Sequence, residues 1–154
     1  MNQKGFSLIE ILIVIAIIGI LASILLANAR LVRQRSRDAR RIVDIGEIQK
    51  ALAVYFDANG SFPVGDDAVG LDQLQVGGFM PVVPIDPTTR NSYRYTEVPT
   101  DCLTGCTNYH LGANLEEPRH PSLDSDADTT DGFNGVNGTC ESSSGDDLCY
   151  DLVP

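Results

Sequence analysis

Four aspartates in the acidic segment 123–132 are the side chains of this sequence best suited to binding a ligand. They are Asp124, Asp126, Asp128 and Asp131. The segment holds no basic residue, and a hard divalent cation with oxygen ligands, such as calcium, relieves the mutual repulsion of its carboxylates. The spacing departs from the EF-hand pattern, because Thr129 replaces the glycine and Gly135 replaces the bidentate glutamate. The alternative interpretation is a solvated acidic loop without a metal.

The cysteines form a second group with possible chemistry, and all of them follow residue 101. They are Cys102, Cys106, Cys140 and Cys149. Three pairings are possible, and the short separations within each half of the group favour two local disulfides. The gaps differ from the paired two-residue knuckles of zinc sites and from the usual redox pair. The sequence therefore predicts structural disulfides, which suit an oxidising compartment.

An acidic side chain within an apolar segment is the third unusual feature. Residues 6–27 are a run of 22 residues in which Glu10 is the only charge. As a helix, this run is long enough to cross a hydrocarbon core of ~30 Å, whereas the apolar region of a secretory signal is usually about 7 to 15 residues long. A central carboxylate costs roughly 2.5 to 3.5 kcal/mol on insertion. Glu10 therefore marks a functional position with a nearby partner, or else lies at the headgroup level.

No residues have the spacing of a catalytic site. His110 and His120 have no nucleophile or carboxylate partner at motif spacing, and the sequence has no glycine-rich phosphate loop. The sequence therefore predicts that the chain is not an enzyme. We expect His110 to lie on the exposed surface of a strand.

Charge is distributed unevenly along the 154 residues, whose net charge is −10. Residues 1–41 carry seven basic and two acidic side chains, and the remaining 113 residues carry four and 19. An acidic body excludes nucleic acid as its partner, because phosphate contacts need a basic surface. Six arginines follow the apolar run: Arg30, Arg33, Arg35, Arg37, Arg40 and Arg41. The favoured interpretation is a solvated collar near lipid headgroups, and the alternative is a specific partner site.

These groups must be positioned by a long helix and a small sheet. Apolar residues at steps of three and four continue the helix to Asn59, where Gly60 and Pro63 end it. A short helical turn is predicted over 70–74, and strands over 92–98, 108–115 and 148–153. The predicted fold is α+β: a long helix with a transmembrane first half and an amphipathic second half, packed on a small antiparallel sheet, with a long irregular C-terminal region. The sheet should bury Leu52, Tyr55 and Phe56.

The start of the apolar run resembles a known processing signal. Residues 4–10 read Lys-Gly-Phe-Ser-Leu-Ile-Glu and lead into an unbroken aliphatic helix. This resembles the class III leader of type IV pilins and of type II secretion pseudopilins. The resemblance implies that a prepilin peptidase cleaves after Gly5 and methylates Phe6, and that Glu10 is the glutamate at the fifth mature position. It divides the chain into leader 1–5, membrane and stalk helix 6–59, and extracellular head 60–154.

Assembly into a filament is what the resemblance implies for function. Cleavage creates an ammonium group on Phe6, and in a helical fibre the Glu10 carboxylate of one subunit can pair with that group on its neighbour. Losing one member of such a buried pair costs several kcal/mol. The implied partners are further copies of the chain in a helical homopolymer, the prepilin peptidase, an inner-membrane assembly platform, and membrane lipid before assembly. The alternative is a membrane-anchored extracellular binding module that never polymerises.

The resemblance also bears on topology, on the loop before the sheet and on the metal. The arginines after the span favour a cytoplasmic C-terminal part, but the family places it outside the cytoplasm, and we expect the family's orientation. The pair Asp86-Pro87 matches the pair that precedes the first strand in major pseudopilins. Those proteins also use a C-terminal acidic loop for calcium, which favours a cation at the four aspartates.

Overall fold

The structure is a computed structural model that describes residues 7–100, 102, 105–136, 138–141 and 145–154, and for 24–28 the backbone alone. Its elements are α1 (Leu8–Asn59), α2 (Asp67–Val76), β1 (Arg94–Val98), β2 (Asn108–Asn114), a 3-10 helix (Pro121–Asp124) and β3 (Cys149–Leu152). The predicted α+β class, with a long N-terminal helix and a small antiparallel sheet, is confirmed. Within the described residues, no helix has the length and apolarity that crossing a membrane requires.

The chain divides into two compact units, Met1–Gln34 and Arg35–Pro154. In the first unit, every described side chain from Ser7 to Ser23 is exposed. The second unit contains the rest of α1, the sheet and the C-terminal region, and it holds the hydrophobic core.

Helix α1 ends at Asn59, as the sequence predicts. Gly60 adopts a left-handed conformation at φ 72°, and its N–H donates to the carbonyl of Phe56 at 2.7 Å. Glycine takes this conformation without steric cost, which makes it the usual residue after a helix end. The predicted turn at 70–74 lies inside the longer helix α2.

The sheet has the order β1-β2-β3, and both strand pairs are antiparallel. One face packs on α1 and forms the main core, whose central residues are Ile45, Ile48, Leu52, Tyr93, Tyr95, Tyr109 and Leu111. Leu52 is fully buried as expected, whereas Tyr55 and Phe56 are half-buried at the edge of this core. The first strand begins later than predicted, because Ser92 makes only an isolated bridge with Ile85.

The second face of the sheet is covered by the C-terminal region. Phe133 and the disulfide between Cys140 and Cys149 form a small cluster there. A Cβ at Gly112 would fall within 3.0 Å of both the Cys140 sulfur and the Phe133 ring, so the glycine permits this close packing. A second disulfide joins Cys102 to Cys106 in the segment between β1 and β2.

Candidate functional site

Three carboxylates converge beside the second face of the sheet. Asp126, Asp128 and Asp151 each offer an oxygen, and these oxygens lie within 4.8 Å of one another. Two belong to the acidic segment singled out in the sequence, and Asp151 belongs to β3. Asp124 and Asp131 are exposed and are not members of this group.

The acidic segment is held around Asp151 by hydrogen bonds. The carboxylate of Asp151 accepts from the backbone N–H of Asp128 at 3.1 Å and of Thr129 at 3.4 Å. The backbone N–H of Asp151 donates to Asp126 Oδ2 at 3.3 Å, and its carbonyl accepts from Ala127 N–H at 3.0 Å. Residues 126–129 therefore lie alongside the end of β3. This places the carboxylates of the acidic segment next to that of Asp151.

The electrostatics of this group favour a bound cation. Burial, and next the repulsion of Asp151, raise the pKa of Asp126 to about 7. The Oδ1 atom of Asp126 is buried and has no hydrogen-bond partner among the described residues. A buried carboxylate oxygen without a donor is costly unless the carboxyl group is protonated or a cation contacts it. The three oxygens are hard ligands that fit calcium, whose remaining positions are commonly filled by carbonyl oxygens and water.

His110 lies behind this group, and the expectation that it is a surface residue is wrong. Its side chain is fully buried, with Nδ1 donating to the carbonyl of Asp131 at 2.9 Å and Nε2 lying 2.5 Å from Asp151 Oδ2. The imidazole stacks on Phe133, with ring centroids 3.6 Å apart. Asp151 pairs with Gly112 in the sheet, so it lies diagonally across from His110 on the same face. The C-terminal region covers that face of the sheet. The alternation of side chains along β2 does not indicate that His110 is buried there.

A second charged cluster joins α1 to the head, and for Arg41 it corrects the interpretation of the arginines as a solvated collar. Arg41 is 3% exposed and donates to Asp38 at 2.7 Å, to Asp86 at 2.6 Å and to Glu116 at 2.9 Å. A further hydrogen bond reaches Thr88 at 2.9 Å. Arg35 and Arg37 also pair with head residues, Glu117 and Glu116. Arg35 is exposed all the same, as are Arg30, Arg33 and Arg40.

Two of the three acidic partners of Arg41 are strongly biased toward their charged forms. Burial opposes ionisation of Asp86, but the Arg41 guanidinium and the amides of Thr89 and Thr88 outweigh it and lower the pKa of Asp86 to about 2. The hydrogen bond from Arg37 has the largest effect on Glu116, whose pKa also falls to about 2. Arg41, Asp86 and Glu116 therefore stay ionised at neutral pH.

Glu10 lies in the first turn of α1 and is exposed. Its carboxylate accepts from the backbone N–H of Ser7 at 3.3 Å, and its own N–H donates to the carbonyl of Ser7 at 3.1 Å. The spacing Ser-x-x-Glu with this bond is half of a capping box, which begins the helix. The predicted processing residues Gly5 and Phe6 lie outside the described residues.

Comparison with known proteins identifies the family of this chain. The sequence model of the prokaryotic N-terminal methylation motif matches residues 1–26. The type II secretion system core protein G of Vibrio cholerae is 30% identical over 106 residues, covering 61% of this chain and 70% of that protein. The corresponding protein of Aeromonas hydrophila is 31% identical over 99 residues, covering 56% and 68%. The type IV wide pilus major component PilA4 of Thermus thermophilus is 43% identical over 61 residues, covering 40% and 47%.

No solved structure matches the chain significantly. The relatives are structural pilin and pseudopilin subunits, which confirms the prediction that the chain is not an enzyme. The match to the Vibrio cholerae protein extends well beyond the methylation motif and covers most of that relative. The chain therefore belongs to the family of type IV pilins and type II secretion pseudopilins.

Proposed function

We propose that this chain is a structural subunit of a type IV pilus-like or pseudopilus filament. The observation that carries the proposal is the uncovered apolar surface of α1. Its aliphatic side chains are mostly more than half exposed from Leu8 to Leu21, and Leu8 is 91% exposed. Nothing described in the chain covers this surface, and contiguous exposed apolar area of this kind marks contact with lipid or with other proteins.

That apolar surface is covered in two successive environments, first by lipid and then by other copies of the chain. Before assembly, residues 6–27 hold the subunit in the membrane as a single span, with the head on the extracytoplasmic side. The prepilin peptidase then removes residues 1–5 after Gly5 and methylates Phe6. During polymerisation on an inner-membrane platform, the helix leaves lipid and packs against other copies, so that segment 6–59 forms the shaft of an envelope or extracellular filament and segment 60–154 its outer surface.

Glu10 acts as the register contact of this filament. In the single chain its carboxylate accepts from Ser7 N–H. In the filament it pairs with the ammonium group that cleavage creates on Phe6 of a neighbouring subunit. Burying either charge alone is costly, so subunits at a spacing that pairs them are favoured.

Calcium is the cation we assign to Asp126, Asp128 and Asp151. These residues would hold it at the end of β3, where it would neutralise their repulsion and link the acidic segment to the sheet. Its role is structural, since it would stiffen the C-terminal region of the head. Asp124 and Asp131, which the sequence also suggested, have no part in this assignment.

The filament proposal is tested in cells that carry the matching assembly machinery. Filaments are sheared from the cells and sedimented, and the amount of this chain in the pellet is measured. Glu10→Val should remain in the membrane fraction but lose most of the sedimenting material. Glu10→Gln should fail in the same way, because it keeps an acceptor for Ser7 N–H but lacks the charge.

The outcomes separate the two functional hypotheses. Filament yield equal to wild type from Glu10→Gln would show that charge pairing is dispensable. Absence of filaments from the wild-type chain itself, with the chain retained in the membrane, would favour the alternative of an anchored extracellular binding module.

A further inference from the structure

We infer that His110 is a positioning residue for the candidate cation site, because it holds the Asp151 carboxylate in the orientation that faces Asp126 and Asp128. This inference rests on the proposed binding of calcium. It assigns a role to a buried histidine that is not itself a ligand of the ion.

The imidazole is fixed from two sides. The carbonyl of Asp131 can only accept, so Nδ1 carries a hydrogen and the bond of 2.9 Å defines the orientation of the ring. Stacking on Phe133 at an interplanar angle of 8° prevents the ring from tilting. The other nitrogen, Nε2, then lies 2.5 Å from Asp151 Oδ2, and a hydrogen between these two atoms makes the contact a hydrogen bond.

The carboxylate of Asp151 is confined in turn. Its Oδ2 atom contacts His110 on one side, and on another side it lies so close to Gly135 that a Cβ there would overlap it. The N–H groups of Asp128 and Thr129 complete its surroundings at 3.1 Å and 3.4 Å. Both histidine and carboxylate are fully buried, so no solvent competes for this contact.

Groups behind a metal ligand matter because they set its direction. Loss of such a partner typically weakens metal affinity about 10- to 100-fold. If His110 is withdrawn, the Asp151 side chain can rotate and water can take its place on the ion. The inference therefore predicts a change in the coordination of the metal as well as in its affinity.

The test uses the full chain in detergent micelles, terbium as a luminescent probe, and calcium as its competitor. The matched variants are His110→Gln and His110→Asn. The glutamine amide can reach the position of Nε2 and donate to Asp151, whereas the shorter asparagine amide can reach only the Asp131 carbonyl. Luminescence lifetimes in light and heavy water count the water molecules bound to terbium, and calcium titration gives the affinity.

We expect His110→Gln to match the wild type and His110→Asn to bind calcium at least about tenfold more weakly, with about one additional water on terbium. Equal losses in the two variants, or none in either, would overturn the positioning role. Failure of wild-type terbium binding, or binding unchanged in a chain with both Asp126→Asn and Asp128→Asn, would instead overturn the cation site itself.

A measurement on the wild-type chain keeps the inference falsifiable if the variants do not fold. The chain has two histidines, and nitrogen-15 labelling of their rings gives separate signals. Calcium should shift the Nε2 resonance of His110 more than any ring resonance of His120, which accepts from the N–H of Ser122. An unchanged His110 resonance in the calcium-bound chain would overturn the positioning role.

Discussion

Arg41 of helix α1 donates a hydrogen bond of 2.6 Å to Asp86, which lies 45 residues later in the chain. The same guanidinium contacts Asp38 and Glu116, so one buried cation links the helix, the segment before β1 and the segment after β2. Asp38 also accepts from the N–H groups of Glu116 and Glu117 at 3.0 Å each. The head cannot shift along this part of the helix without separating buried charges. The cluster therefore fixes the register between the head and the helix.

Replacement of Arg41 should destabilise the head strongly. Arg41→Leu leaves the fully buried Asp38 carboxylate without its cation, and breaking a buried pair in this way costs about 3 to 5 kcal/mol. Urea unfolding of the full chain in nonionic detergent, followed by the near-ultraviolet circular dichroism of the tyrosines, measures this loss. The matched control is Arg40→Leu, whose exposed contact with Asp44 at 3.8 Å should contribute less than about 1 kcal/mol. Equal losses in the two variants would contradict the assignment.

Acid should destabilise the head through the same cluster. The pKa values of Asp86 and Glu116 fall to about 2 in the folded chain, from ordinary values of 3.8 and 4.5. An acid with a lowered folded pKa contributes stability above its unfolded pKa and loses it as pH falls through the folded one. The free energy of unfolding should therefore decline between pH about 4.5 and about 2.

Asp86→Asn identifies the source of that decline. The variant should be less stable than wild type at neutral pH, and its stability should fall less steeply in the acid range, because one of the two shifted carboxyls is absent. Identical slopes for the two chains would assign the acid sensitivity to other groups.

The sequence predicts local features of this molecule well and long-range partners poorly. The end of α1 was predictable because Gly60 and Pro63 act on their immediate neighbours. Arg41 was misinterpreted because its partner Asp86 belongs to another part of the chain, and a count of neighbouring charges cannot reveal it. His110 was misinterpreted for the same reason, since Asp151 lies 41 residues away.

The candidate cation ligands also show that the sequence reveals local features better than long-range partners. Asp126 and Asp128 were found because they stand in a dense acidic segment. Asp151 was missed although its strand was predicted, because ligands were sought within one continuous window. The alternation of residues 148–153, combined with the register against β2, was the signal that could have placed Asp151 beside the acidic segment.

Processing of the N-terminus is predicted from the sequence motif. The mass of the chain in purified filaments should lack residues 1–5 and carry one additional methyl group on Phe6. Gly5→Val should block both changes, because a β-branched side chain crowds the peptidase cleft. Intact-protein mass spectrometry reads both changes directly, and an uncleaved Met1 in assembled filaments would contradict the prediction.

Calcium should stabilise the head, and two double variants show which carboxylates are responsible. A ligand that binds only the folded chain adds RT ln(1 + [L]/Kd) to its stability, about 2.7 kcal/mol at a hundredfold excess over Kd. Thermal unfolding of the full chain in detergent should therefore occur at a higher temperature in millimolar calcium than in chelator. Magnesium should substitute poorly, because it prefers strict octahedral geometry and keeps its waters.

The variant with Asp126→Asn and Asp128→Asn should lose most of the calcium effect, since both residues belong to the converging group. The variant with Asp124→Asn and Asp131→Asn removes the same charge from the same segment but leaves that group intact, so it should keep the effect. High ionic strength removes generic screening from the comparison. If the two double variants lose the calcium effect equally, the cation binds the diffuse charge of the segment and not a site built on Asp151. If neither loses it, the acidic segment is a solvated loop.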